Sequence, residues 1–177
     1  AASKAMDAGQ TRYVPGKGTP TLQKAIQSKF LKDNNLHYDL DEIIVGVGGK
    51  HIIYNAMMAT INPNDEVIIP APFWVSYPDI VLLAEGKPVI VQCPESQNFK
   101  ITADQLEKNI TDKTKWLMLN SPSNPTGSLY SKHELKQLAE VLLEYPNVLV
   151  MSDDIYEKVI YDNLEFATIA SVEPKLK

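Results

Sequence analysis

The stretch KWLMLNSPSNPTGSLYSKHELKQLAEVLLEYPNVLVMSDDIY, residues 115–156, decides the fold. Lys115 to Leu119 is a short apolar run with the length of a buried strand, and it ends abruptly in a loop rich in Asn, Ser and Pro. Ser131, with Glu134 three residues later, is a capping box. Leu135, Leu138, Ala139 and Leu142 then fall on one face at helical spacing. Asn147 to Met151 reads as a second strand, which delivers Ser152, Asp153, Asp154, Ile155 and Tyr156 at its carboxyl end. Two strands joined by a helix of this length form a βαβ unit with parallel pairing.

Upstream the same grammar repeats. Thr19 caps a helix with Pro20 at its first position, and Leu22, Ala25, Ile26 and Phe30 come after it at helical spacing until Asp33, Asn34 and Asn35 close it. Glu42 to Val47 predicts a strand, and Gly48 and Gly49 turn the chain into a helix bearing Ile52, Ile53, Ala56 and Met57. After the turn Asn62 to Asp65, Glu66 to Pro70 is a strand apolar on both faces. Ser76 to Glu85 predicts a helix, Pro88 to Gln92 a strand, and Thr102 caps a helix through Leu106 and Ile110. The expected fold is α/β: a three-layer αβα sandwich around a mostly parallel sheet, with the chain treated as one domain.

The 177 residues carry 22 acidic against 17 basic side chains, a formal net charge of -5 with no long run of either sign, which argues against a nucleic-acid partner. No apolar stretch approaches the roughly 20 residues that cross a bilayer, so no membrane partner is expected. Cys93, the only cysteine, rules out an internal disulfide and suits a reducing, cytoplasmic setting. His37, His51 and His133 have neither metal-ligand spacing nor a nucleophile pattern, so no metal site is expected.

The polar and aromatic oddities fall just beyond strand ends: Gly48 to Lys50, Trp74, Asn124, and Asp153 with Tyr156. Ligands of open parallel sheets bind outside those carboxyl ends. A glycine pair opening a helix offers backbone N–H groups and the positive end of the helix dipole to phosphate. Each residue also has a plainer reading. Gly48 and Gly49 suit an empty βα turn, Lys50 a solvated surface, Trp74 the core, Asn124 a turn before proline, Tyr156 packing, and Asp153 or its neighbour Asp154 a cap. A dinucleotide fold would need G-x-G-x-x-G, and Gly46, Gly48 and Gly49 lack its third glycine.

Five segments in order, TRYVPGKGTPTLQKAI, VGGKHIIYNA, PAPFWVSYPD, LNSPSNPTG and SDDIYE, resemble the fold-type I, class I aminotransferases that use pyridoxal 5'-phosphate, most closely the bacterial aspartate and aspartate/prephenate group. The resemblance implies a role for each position. Asp153 would pair with the pyridine nitrogen and keep it protonated, making the ring an electron sink. Tyr156 and Asn124 would donate to the 3'-oxygen, with Asn124 also facing the substrate, and Asn124–Pro125 would be a cis peptide. Gly48, Gly49 and Lys50 would hold the phosphate end, with Lys50 also reaching a distal substrate carboxylate. Trp74 would lie over the ring and donate to the substrate carboxylate. Tyr13 would cross a homodimer interface to the neighbouring phosphate.

The expected reaction moves an amino group between L-aspartate and 2-oxoglutarate, with prephenate a further candidate, so the partners are an amino acid and a 2-oxo acid. The family's Schiff-base lysine has no counterpart, because Lys175 and Lys177 fall in VEPKLK, which does not match its segment. Residues 1–177 therefore read as an incomplete large domain, without the small domain or the lysine segment and with little activity of its own. A lyase or cyclase on the same cofactor, and a non-enzymatic binding module, are the alternatives.

Overall fold

The computed structural model describes residues 1–177, which divide into two compact units, Ala1–Val47 and Gly48–Lys177.

The first unit holds α1 (Ala2–Asp7), which no sequence signal announced, and α2 (Pro20–Asn34). Thr19 caps α2 by accepting from the Leu22 N–H, and Asn35 ends it in the left-handed conformation. Buried Gln23 ties the helix to the segment after it by donating to the carbonyls of Leu40 and Ile43, at 3.0 and 2.7 Å. Gly18 (φ +101°) lies against Val45, where an added Cβ would come within 2.8 Å of a methyl group, so only glycine fits. The strand expected over Glu42 to Val47 does not form. Leu40–Glu42 is a 3-10 turn closed by an Asp39–Glu42 capping box, and beyond it the Val45 N–H donates to the Lys17 carbonyl in place of a ladder. Without that ladder, Ile44 and Val47 remain exposed, and β propensity alone does not make a strand.

The second unit is built on four parallel strands, β1 (Glu66–Ala71), β2 (Lys87–Gln92), β3 (Thr114–Asn120) and β4 (Leu149–Asp153), in the order β2-β1-β3-β4. Its helices are α3 (Gly49–Thr60), α4 (Ser76–Leu83), α5 (Ala103–Asn109), α6 (Lys132–Glu144) and the short α7 (Ile169–Val172). Alternation along the strands separates two cores. Val67, Ile69 and Met118 pack with Ile53 and Met57 of α3 and Ile80 and Val81 of α4. Ile68, Leu117 and Leu119 pack with Leu106 of α5, with Leu135, Leu138 and Leu142 of α6, and with Ile169 of α7. The register Val89–Ile68–Leu117–Val150 runs across all four strands on the second face. These are the three layers expected, with the central strands β1 and β3 buried between two helical layers and the edge strands β2 and β4 partly exposed.

Helix starts are set locally. Thr102 and Ser131 each accept from the backbone N–H three residues on, while Gln105 and Glu134 reach back to the cap N–H groups. Connectivity then opens a crevice. The chain passes from β1 to β2 over one face through α4, returns to β3 over the other face through α5, and continues to β4 over that same face through α6. Reversing direction while changing faces keeps every crossover the same hand. The connections therefore diverge between β1 and β3, where a crevice forms beyond the carboxyl ends. No helix is long and apolar enough to cross a membrane.

Candidate functional site

Beyond those strand ends lies a cavity of about 300 Å³. Gly48, Gly49, Lys50, Trp74, Asn124, Asp153 and Tyr156 all line it, together with Ile53, Tyr77, Asn120 and Ile155. Seven positions singled out along the sequence thus converge on one space. Tyr13 belongs to the other compact unit, where it is fully exposed beside Thr11 and Arg12.

Gly48 leads into α3 with φ +121°, a conformation that side chains disfavour, and an added Cβ would meet nothing within 4 Å. The glycine is required by the backbone, and it leaves the start of the helix open. The first α-helical bond runs from the Ile52 N–H to the Gly48 carbonyl, so the N–H groups of Gly49 and Lys50 have no partner inside the helix. Lys50 adds a cation at the same end, with Nζ 4.9 Å from the centroid of the Trp74 ring. Trp74 comes just after β1 and meets Tyr77 edge-on at 5.4 Å and 84°.

Asp153 closes β4. Its Oδ2 accepts from the Tyr77 hydroxyl at 2.6 Å, while Oδ1 has only a long 3.4 Å contact from the Ile155 N–H. Burial, reinforced by that hydrogen bond, raises the Tyr77 phenol well above its ordinary pKa, so the phenol stays protonated and is the donor. Asp154 accepts from Ser152 Oγ at 2.7 Å, and burial pushes its carboxyl up. Of the two adjacent acids, only Asp153 lines the cavity.

Asn120, the register partner of Asp153 at the end of β3, braces the two loops. Its Nδ2 donates to the Asp153 carbonyl at 2.8 Å, and its Oδ1 accepts from the Asn124 N–H at 2.7 Å. The loop then turns through Gly127 (φ +71°), whose N–H donates to the Ser123 carbonyl at 2.8 Å. Asn124–Pro125 is cis, as the resemblance implied, and so are Ala71–Pro72 and Ser121–Pro122. Sequence reasoning missed Tyr77 and Asn120. The signals available were a tyrosine one helical turn after Trp74 and a polar residue ending an apolar strand.

The arrangement offers backbone N–H groups and a cation, a carboxylate, an amide, a phenol and an indole plate around one small-molecule-sized space. Comparison with known proteins identifies the family. The model of the family described as aminotransferase class I and II matches residues 1–177. The chain is 58% identical over its whole length to 44% of a Rickettsia bellii protein named "Probable aspartate/prephenate aminotransferase". It is 53% identical, over 99% of its length, to 44% of the aspartate/prephenate aminotransferase of Cereibacter sphaeroides. Among solved structures, the aspartate aminotransferase from Rhizobium meliloti superposes with a TM-score of 0.98 at 52% identity, covering 99% of this chain and 44% of that one. The aspartate aminotransferase from Thermus thermophilus with maleate gives a TM-score of 0.93 at 39% identity, covering 98% of this chain and 45% of that one. The chain spans less than half the length of these relatives.

Proposed function

Because this chain belongs to the class I and II aminotransferase family, we propose that its cavity binds pyridoxal 5'-phosphate in an enzyme that moves an amino group between L-aspartate and 2-oxoglutarate, with prephenate a further acceptor. The observation that carries this reading is the convergence of Gly48–Lys50 and Asp153 on one cavity. The donor set fits the cofactor. An open helix start beside a cation suits its phosphate, and a carboxylate suits its ring nitrogen. An amide and a phenol suit its 3'-oxygen, and an indole suits its ring face.

When bound, the cofactor supplies a carbonyl that takes up the amino group and a ring that accepts electrons. The protein's part is positioning and charge. Asp153 holds a proton at the ring nitrogen, and Asn124 and Tyr156 donate to the 3'-oxygen. Gly48, Gly49 and Lys50 hold the phosphate end. Lys50 also reaches the distal carboxylate of a dicarboxylic substrate, Trp74 donates to a substrate carboxylate, and Asn124 faces the substrate. Maleate, bound by the Thermus thermophilus relative, is a dicarboxylate and supports that specificity.

The lysine that holds the cofactor covalently and moves the substrate Cα proton lies outside residues 1–177 in this reading, as does the small domain. The 177 residues are then an incomplete large domain with only weak, noncovalent cofactor affinity. We assign the enzyme to the cytoplasm as a homodimer in which Tyr13 serves the neighbouring phosphate. The full exposure of Tyr13 supports its availability for that contact.

Absorbance titration of the complete protein with pyridoxal phosphate, combined with an amino-donor panel against 2-oxoglutarate, tests the reading. Saturable binding lost in Asp153→Ala, with aspartate the best donor, is expected. Wild-type binding by Asp153→Ala overturns the site, and lyase products without amino transfer overturn the reaction.

A further inference from the structure

Tyr77 sits where a phenol is conspicuous. Its ring is buried among the apolar side chains of α3, α4 and the sheet, 3% exposed, yet its hydroxyl reaches out of that layer to Asp153 Oδ2 at 2.6 Å. The two residues are 76 positions apart, so the bond spans from the first turn of α4 to the end of β4. A phenylalanine would fill the same space, so packing alone does not call for the oxygen. The ring is itself braced, since Tyr77 meets Trp74 edge-on at 5.4 Å and donates its backbone N–H to the Trp74 carbonyl at 3.0 Å.

We propose that Tyr77 is a positioning residue for Asp153: its hydroxyl occupies Oδ2, fixes the carboxylate rotamer and leaves Oδ1 as the oxygen available to the ligand. A hydrogen bond to a carboxylate is among the stronger neutral–charged contacts, so it holds the group in one orientation. Burial keeps the phenol protonated, so the donor does not switch off in the neutral pH range. The edge-on contact lets the same ring hold the Trp74 wall and the Asp153 wall in one arrangement. This inference rests on the reading of Asp153 as the partner of the ring nitrogen.

The test uses the complete protein loaded with pyridoxal phosphate labelled with 15N in its ring, reading the dissociation constant by equilibrium dialysis and the ring-nitrogen shift by NMR. Asp153→Asn is expected to move the ring nitrogen to its unprotonated shift and to weaken binding strongly. Tyr77→Phe, which keeps the ring, is expected to weaken binding about tenfold, the scale of one hydrogen bond to a charged group, and to move the shift part of the way. Adding Tyr77→Phe to Asp153→Ala, which removes both carboxylate oxygens, is expected to cost nothing further, because the acceptor is already gone. A silent Tyr77→Phe, or additive losses in the double variant, overturns the proposal. An unchanged ring-nitrogen shift in Asp153→Asn instead overturns the reading of Asp153, and the proposal with it. Should Tyr77→Phe fail to fold, 3-fluorotyrosine and 4-aminophenylalanine at position 77 keep the shape while strengthening and weakening the donor. Affinity that tracks donor strength supports the proposal, and equal affinities overturn it.

Discussion

Lys50 Nζ stands 4.9 Å from the centre of the Trp74 ring, a cation from the first turn of α3 over an indole just beyond β1. The aromatic face holds the ammonium by attraction to its negative π cloud, and the ammonium still has three N–H donors for an anion. Lys50 is therefore presented to the cavity as a directed charge.

In the complete enzyme, Lys50→Ala is expected to lower kcat/KM for aspartate roughly 10- to 100-fold, the scale of one lost charged hydrogen bond. With pyridoxal phosphate saturating, so that the phosphate contact of Lys50 does not enter, a donor without a distal carboxylate is expected to lose far less. Steady-state kinetics with aspartate and alanine side by side checks this, and equal losses for both remove Lys50 from substrate recognition.

Leu117 is fully buried in the middle of β3, in register with Ile68 and Val150. Truncating it to alanine is expected to cost about 2–5 kcal/mol, the transfer term plus the cavity left behind. Urea unfolding measures it, and a loss under about 1 kcal/mol means that the layers collapse around the gap.

Glu66 ties the other end of the sheet together. Its carboxylate accepts from Lys87 Nζ at 2.8 Å and from Thr111 Oγ1 at 2.6 Å. The Lys87 hydrogen bond, then that of Thr111, holds its carboxyl below the ordinary glutamate value of 4.5. A lowered folded pKa gives stability that is present above the unfolded value and lost as pH falls through the folded one. The stability difference between wild type and Glu66→Gln is therefore expected to be largest near neutrality and to shrink as the pH drops below 4.5. Thermal unfolding across that range checks the trend, and a constant gap contradicts it.

Cys93 is buried, and burial pushes its thiol up to about 11 from an ordinary 9.0. The thiolate is the reactive form, so at pH 8 the folded protein is expected to react with a disulfide reagent roughly a hundredfold more slowly than the unfolded chain. Thiol titration with and without denaturant checks this, and rapid native labelling shows that the sheet opens locally near Val91 and Cys93.

What sequence made legible here was mostly local. Thr102 with Gln105 and Ser131 with Glu134 announce helix starts because a cap and its partner are three residues apart. The central strands announce themselves because burial on both faces leaves them continuously apolar. The expected strand at Glu42 to Val47 failed because a strand requires a partner ladder, and pattern alone does not supply one. Seven cavity residues were identifiable through the motifs that carry them, each beyond a strand or at a helix start. Tyr77 and Asn120 stand in two of the same motifs, but a tyrosine one turn after Trp74 and a polar residue ending a strand also suit plain packing and a plain strand end. Their roles exist only across separations of 76 and 33 residues.

The walls of the cavity hang from different strands and helices, joined through space by a few hydrogen bonds and ring contacts. Lys50 and Asp153 are connected along the chain only by way of most of the second unit. Through space the route is short: Lys50 lies over Trp74, Trp74 meets Tyr77 edge-on, and Tyr77 donates to Asp153. A new side chain at position 50 therefore shifts the seat of the indole first, and whatever the indole gives up is passed to the carboxylate two contacts away.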